Sequence, residues 1–149
     1  MVEANYRRAT SDDAAQISAI ISELTQDPQP IALRPLTTDQ VREWIERLGD
    51  QGGLFVAEVE GRIVGFGALD FNTEEPDMGT LGVWVLTSQR KRGLGTGLAE
   101  CVLEHGREKS FRRIRGRLPQ DNEVALSFLS SIGALVPLYN PESRFELPL

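Results

Sequence analysis

Hydrophobic positions recur along this chain with two different periods, and the changes of period mark out its elements. Tyr6 to Thr10 reads as a short strand, and Thr10 to Asp13 supplies N-cap chemistry for a helix. Ile17, Ile20, Ile21 and Leu24 then follow at i, i+3, i+4 and i+7, one buried helical stripe that Asp27 to Pro30 ends. A second helix begins near Thr37 or Thr38, with Val41, Trp44, Ile45 and Leu48 at the same spacing, and Gly49 to Gly53 breaks it. The period next falls to two. Leu54–Val59 and Arg62–Leu69 are predicted strands joined by a tight Glu60-Gly61 turn. Asn72 to Asp77 reads as an acidic turn and Thr80–Leu86 as a third antiparallel strand. A helix is predicted over Gly93–Lys109, with Leu94, Leu98, Cys101, Val102 and His105 on one side. Ile114, Gly116 and Leu118 alternate with Arg113, Arg115 and Arg117, which predicts a further strand. Ala125, Phe128, Leu129 and Ile132 mark a last helix, capped by Asp121 or Asn122 and stopped by Gly133. Tyr139 to Leu147 suits a terminal hairpin around Asn140 and Pro141. This order predicts an α/β (α+β) fold: one mixed, largely antiparallel sheet flanked by about four helices.

Composition narrows the classes. The chain of 149 residues fits a single domain over 1–149, long enough to bury about two-thirds of its unfolded surface. A net charge of −6 argues against a nucleic-acid partner. No apolar run approaches the ~20 residues that span a bilayer, and the opening residues lack a signal-peptide core, so no membrane partner and a cytoplasmic location are expected. One cysteine, Cys101, and one histidine, His105, leave no disulfide and no metal site to expect.

The chemistry concentrates in SQRKRGLGTGL, Ser88 to Leu98, where three basic residues meet three glycines at the start of a helix. The first N–H groups of a helix lack internal partners, and the dipole adds positive charge there. Gly93, Gly95 and Gly97 let a ligand approach the backbone, and Arg90, Lys91 and Arg92 add full charges. A diphosphate satisfies all of these features. No G-x-x-x-x-G-K-[ST] occurs. A dinucleotide loop needs glycine at Leu98 and an acidic residue where Arg112 to Arg115 stand, so that reading fails too.

The remaining pattern is R-x-x-G-x-G, Arg90 to Gly95, which resembles the acetyl-CoA pyrophosphate loop of the GNAT superfamily of N-acetyltransferases. The element order is similar to that family's, as are the entry RATSDDA and the stretch from Asn122 through Ala125 and Phe128 to Ile132-Gly133-Ala134. The resemblance implies that the amides of Arg90, Lys91, Arg92, Gly93, Leu94 and Gly95, with Thr96, bind the pyrophosphate. It implies that Val83-Trp84-Val85 pairs with the pantetheine arm as an added strand would, and that an N–H near Val85 or Leu86 stabilises the oxyanion. Asn122 would bond the pantetheine arm, act as a helix N-cap, or do both.

The catalytic residues are unknown. Where the family often has a Tyr as general acid this chain has Leu129; Ser130 and Tyr139 are candidate substitutes, each with an ordinary packing or surface role as the alternative. A thiol of pKa near ~8.5 leaves tolerably without an acid. For the base, Glu74, Glu75 and Asp77 lie far off: at ~3.3 Å per residue Asp77 is roughly 26 Å from Val85. Glu58 and a water relay stay open. His105 and Cys101, roughly 18 Å and 12 Å down the helix from Gly93, read as packing residues. Arg113, Arg115 and Arg117 should share one face of a strand covered on both sides, with a solvated edge, a dimer contact and an anionic acceptor all open. The leading expectation is acetyl transfer from acetyl-CoA to a primary amine, on a small molecule or a protein, by direct attack in a ternary complex. A non-catalytic CoA-binding sensor and an RNA- or anion-binding protein are the rivals. Exposed edge strands permit a homodimer.

Overall fold

The computed structural model describes residues 3–26, 35–89, 92–117 and 144–148. Strand β1 (Asn5–Arg8) leads through a single 3-10 turn at Ser11–Asp13 into helix α1 (Ala14–Thr25). The turn is fixed by the Thr10 N–H donating to Asp13 Oδ2 at 2.8 Å and the Asp13 N–H donating to the Thr10 carbonyl at 3.0 Å. Arg7 then clamps the junction, donating to both oxygens of buried Asp13 at 2.8 Å and through Nε to Glu58 at 2.5 Å. That bidentate pairing holds the Asp13 carboxyl below its ordinary range despite burial. The predicted stripe is buried: Ile17, Ile20, Ile21 and Leu24 are all core residues. Helix α2 (Thr38–Leu48) starts from a capping box in which the Gln40 N–H donates to the Thr37 hydroxyl. It ends at Gly49.

Among the described residues six strands form one sheet in the order β1-β2-β3-β4-β5-β6. Strands β2 (Gly53–Val59) and β3 (Arg62–Asn72) make a hairpin whose turn puts Glu60 and Gly61 at φ +53° and +76°, the doubly left-handed geometry that suits the twist of paired strands. Strand β4 (Glu75–Val85) returns antiparallel to β3. Helix α3 (Leu94–Glu108) crosses back, β5 (Arg113–Arg117) lies parallel to β4, and β6 (Arg144–Pro148) pairs antiparallel with β5.

Side chains alternate across this sheet, so β3 shows one face to each helical layer. Phe66 meets Trp44 of α2 edge-on at 6.3 Å, whereas a Cβ on Gly67 would lie 3.2 Å from Val102 of α3. Asp70, on the α2 face, accepts from Trp44 Nε1 at 2.9 Å and from both terminal nitrogens of Arg47. Burial pushes its pKa up, but Arg47, Trp44 and the Phe71 N–H outweigh that and hold it below the carboxylate range.

Two expectations change. The third strand starts at Glu75, not Thr80, and the turn shrinks to Thr73 and Glu74. From Glu75 to Asp77 the strand is exposed on both faces, so no alternation marked it. The arginine strand is not covered on both sides, because Arg113 and Arg115 are exposed while Ile114 is buried. Three α-helices lie among the described residues; the fourth, from Asp121 to Ile132, and the proposed turn at Asn140 fall outside them.

His105 locks the turn between α2 and β2. Its Nε2–H donates to the Gly52 carbonyl at 3.0 Å and the Gln51 carbonyl at 3.2 Å, and its ring meets Phe55 edge-on. Arg8 Nη2 donates to the same Gly52 carbonyl at 2.8 Å and to that of Gly49. Burial, and then the charge of Arg8, lower the His105 pKa. The unfolded chain therefore binds a proton that the folded chain resists, and stability should fall as pH drops from about 6.5, the unperturbed value, toward 5. His105 is the only histidine, so the melting temperature between pH 7.5 and 5.5 should decline in the wild type and flatten in His105→Gln. An equally steep decline in the variant would sink this assignment.

Candidate active site

Strands β4 and β5 part company beyond Thr80. Among the described residues their pairing covers Met78, Gly79 and Thr80, while β3 stays paired with β4 as far as Val85. The result is a fork that opens toward the C-terminal ends of two parallel strands.

Ladder parity decides which backbone groups enter that fork. The Leu86 N–H donates to the Val64 carbonyl at 3.0 Å, making that pair a hydrogen-bonded one. Counting back, Val85–Gly65 and Val83–Gly67 are the non-hydrogen-bonded pairs, whose N–H and C=O groups turn away from β3 toward β5. Of the two N–H groups that the resemblance places near the oxyanion, the Leu86 one is therefore consumed inside the sheet, and the Val85 one points out of the β3–β4 ladder.

The N-terminus of α3 sits over the same strand end. Gly93 is its N-cap at φ +79°, a left-handed conformation that a Cβ would strain. Helical bonding starts with the Gly97 N–H donating to the Gly93 carbonyl at 3.1 Å, so the N–H groups of Leu94, Gly95 and Thr96 are not used by the helix. A Cβ on Gly95 would lie 3.8 Å from Val83 Cγ1 and 4.0 Å from Val85 Cγ2. Unused helix N–H groups and outward-turned strand groups thus meet at one place, although the residues come from opposite sides of a loop.

The remaining loop residues divide. Leu94 is buried, so only its backbone is available to a ligand. Thr96 is half-buried. Arg92 is exposed and donates through Nη1 to Gln89 Oε1 at 3.2 Å. Arg90, Lys91, Asn122, Leu129, Ser130 and Tyr139 lie outside the described residues. Gly97 has a different role from its neighbours, because a Cβ there would enter the ring of Tyr6 on β1. It permits helix α3 to pack on β1, and nothing in its spacing within the loop separates it from Gly95.

The other candidates are engaged elsewhere. Glu58 is bound by Arg7 and by Asn5. Cys101 is half-buried beside Tyr6 and Glu104 in a groove against β1, with β2 and β3 between it and β4. Burial, with Glu104 and Glu100, raises its pKa and keeps it a thiol, while His105 is occupied at the α2–β2 turn. Around the fork, Ile63 to Ala68, Leu81 to Val85 and Leu94 to Gly97 include no titratable side chain.

One feature of the site was not legible as such. Trp84 lies between Val83 and Val85 but faces the opposite side of the sheet, stacked on Phe66 at 4.8 Å and edge-on to Trp44 at 6.5 Å. Its indole folds back over Gly82, where a Cβ would overlap the ring. Trp44 carries a helical-stripe signal and Trp84 only a strand position, so nothing in the residue pattern joins them.

The model of the Acetyltransferase (GNAT) family matches residues 18–134. An uncharacterized N-acetyltransferase of Methanocaldococcus jannaschii is 30% identical over 89 residues, 56% of this chain but only 39% of that relative's length. A GNAT-family acetyltransferase from Streptococcus pneumoniae superimposes with a TM-score of 0.82 at 17% identity, covering 99% of this chain and 100% of that one. A putative acetyltransferase from Salmonella typhimurium, solved with its cofactor acetyl-CoA, gives 0.83 at 18% identity over 98% and 94% of the two chains. A ribosomal-protein-alanine N-acetyltransferase from Brucella melitensis gives 0.81 at 21% over 97% and 99%. At these identities the structural likenesses establish the fold.

Proposed function

Because the chain belongs to the GNAT acetyltransferase family, we propose that it moves an acetyl group from acetyl-CoA to a primary amine by direct attack in a ternary complex. The observation that carries this reading is the meeting of Val83, Val85 and Gly95 at the β4–β5 fork. The N–H groups of Leu94, Gly95 and Thr96, with the dipole of α3, suit a diphosphate. The backbone groups of Val83, turned away from β3, suit an amide-bearing arm pairing as an added strand would. Of Val85 and Leu86, only the Val85 N–H points out of the β3–β4 ladder, the direction that stabilising an oxyanion requires. Acetyl-CoA, when bound there, supplies an acyl group on a leaving thiolate of pKa near ~8.5.

The acceptor nitrogen must arrive unprotonated, since an ammonium has no lone pair with which to attack. Among the described residues the fork's lining carries no base, and a route through water serves an amine that arrives already largely unprotonated. This arrangement favours acceptors whose amine pKa lies nearer ~8 than ~10.4. The same lining suits a CoA binder without turnover, a second reading that acetylation of any amine eliminates.

Thermal melts with acetyl-CoA, CoA and NAD test the site. Ligand at a hundred times its Kd adds about 2.7 kcal/mol, roughly 5–10 °C for a chain of this length. Shifts with acetyl-CoA and CoA but not with NAD are expected. Absence of both CoA shifts in a folded sample would overturn the proposal.

A further inference from the structure

Phe66, Trp84 and Trp44 meet on the face of the sheet opposite α3. Phe66 and Trp84 are direct partners in the β3–β4 register, and their rings stack at 4.8 Å with 25° between the planes. Rings stacked across neighbouring strands turn their faces along the sheet. Phe66 thus covers one face of the Trp84 indole, and the other looks away from β3, toward the fork. Trp84 is half-buried, so part of a large apolar ring stays in solvent beside Val83 and Val85.

The ring is held in place from several sides. The outer edge of its six-membered ring lies over Gly82, where a Cβ would overlap it, and Gly82 has no left-handed φ that would otherwise call for glycine. Trp44 meets the indole edge-on and is itself fixed, donating through Nε1 to Asp70 at 2.9 Å. Arg47 in turn donates to both oxygens of Asp70. An aromatic face fixed in advance loses little freedom when a ligand stacks on it.

The indole also stands where an acceptor has to pass. Val83, Val85 and Gly95 meet on the α3 side, which a diphosphate at the helix start would occupy. An arm lying in the fork as an added strand lies in the plane of the sheet, and the approach left to its thioester is from the Trp84 face. From Val85 back to the middle of the indole, between Trp84 and Gly82, is about 7 Å at ~3.3 Å per residue. A few bonds join an amine to a group at that distance. Among the described residues of β3 and β4 on this face, Phe66, Ala68, Asp70, Gly82 and Thr80, the acid Asp70 is already taken by Arg47, Trp44 and the Phe71 N–H. Arg115, level with Thr80 and on the face opposite buried Ile114, adds positive charge. The surroundings therefore favour a neutral ring over a second cation. We propose that the outer face of Trp84 stacks on an aromatic group that the acceptor carries a few bonds from its amine. Trp84 is then a specificity-determining residue, and the substrate is an amine with an aromatic side group. The inference rests on the acetyltransferase reading above.

Two measurements on the full chain test it. The first compares L-phenylalaninamide, L-cyclohexylalaninamide and L-alaninamide as acceptors, whose α-amino groups share a pKa near ~8 and so do not differ in protonation. Phenylalaninamide should have a kcat/KM at least tenfold above alaninamide and at least threefold above the cyclohexyl compound, which has comparable apolar area but no planar face. Trp84→Leu should erase both preferences through the acceptor KM, and Trp84→Phe should keep most of the first. The acetyl-CoA KM should not move in either variant. The second measurement needs no turnover. With CoA saturating, 4-nitro-L-phenylalaninamide, whose nitro ring quenches an indole it stacks on, is titrated while tryptophan fluorescence is followed. Quenching should saturate in the wild type and in Trp44→Phe, and be lost in Trp84→Phe. Alaninamide or the cyclohexyl compound reacting as well as phenylalaninamide, or a preference that survives Trp84→Leu, overturns the proposal. If no amide reacts, or Trp84→Leu does not fold, the fluorescence titration decides. Quenching that is absent from the wild type, or that persists in Trp84→Phe, then overturns it. A failed CoA-binding melt would instead remove the acetyltransferase reading.

Discussion

Gly95→Glu should weaken CoA and acetyl-CoA binding at least a hundredfold, about 2.7 kcal/mol, while the free protein melts at or slightly above the wild-type temperature. A Cβ at Gly95 meets Val83 Cγ1 at 3.8 Å and Val85 Cγ2 at 4.0 Å, ordinary contacts that the fold accommodates. The position lies in the first turn of α3, where a carboxylate complements the dipole and a residue other than glycine gains roughly 0.5–1 kcal/mol of helix stability. The same side chain would fill the space over the unused N–H groups and repel a diphosphate. Binding and stability are thus expected to move in opposite directions, which a merely structural glycine would not allow. Melting the variant with and without CoA, with calorimetric titration for Kd, reads both. A variant that keeps its CoA shift would remove Gly95 from the site. Gly97→Ala is the contrast, because its Cβ runs into the Tyr6 ring and should lower the melting temperature of the free protein.

The largest loss of stability is expected at Gly52→Ala, about 3 kcal/mol, or roughly 6–12 °C in Tm. A Cβ there would stand 2.5 Å from the Leu69 carbonyl oxygen, 3.1 Å from Leu48 Cδ2 and 3.2 Å from Phe71 Cδ1. The carbonyl belongs to the β3 backbone, which cannot step aside without disturbing its pairing with β2 and β4. The Gly52 carbonyl also accepts from His105 and Arg8, so displacing it loosens the ties from α3 and β1 together. Gly61→Ala separates crowding from backbone conformation. No atom lies within 4 Å of a Cβ at Gly61, but its φ is +76°, so only left-handed strain of about 1–2 kcal/mol should appear. Equal melting temperatures for wild type and Gly52→Ala would show that β2 and β3 yield at this contact.

Several parts of the architecture were readable because the physics behind them is local. The stripe of Ile17, Ile20, Ile21 and Leu24 follows from helical period, and the Glu60-Gly61 turn from its residue types. The start of β4 is not readable in this way, because residues exposed on both faces leave no alternation. The face of Arg113 and Arg115 is not readable for a related reason: alternation separates them from Ile114 but does not say which side is covered.

The sequence by itself determined that a glycine-rich, basic loop opens a helix after a strand, and that such a helix start attracts an anion. Backbone N–H groups, glycine's missing Cβ and charge are properties of neighbouring residues, so spacing suffices to find them. Only the tertiary structure decided that Gly95 faces the strand end while Gly97 faces Tyr6, that the Leu86 N–H is spent on Val64, and that Arg115 shares a face with Trp84. Each of these depends on register between segments distant in sequence. Shifting a strand by a single residue reverses the face of every side chain and the direction of every N–H it carries.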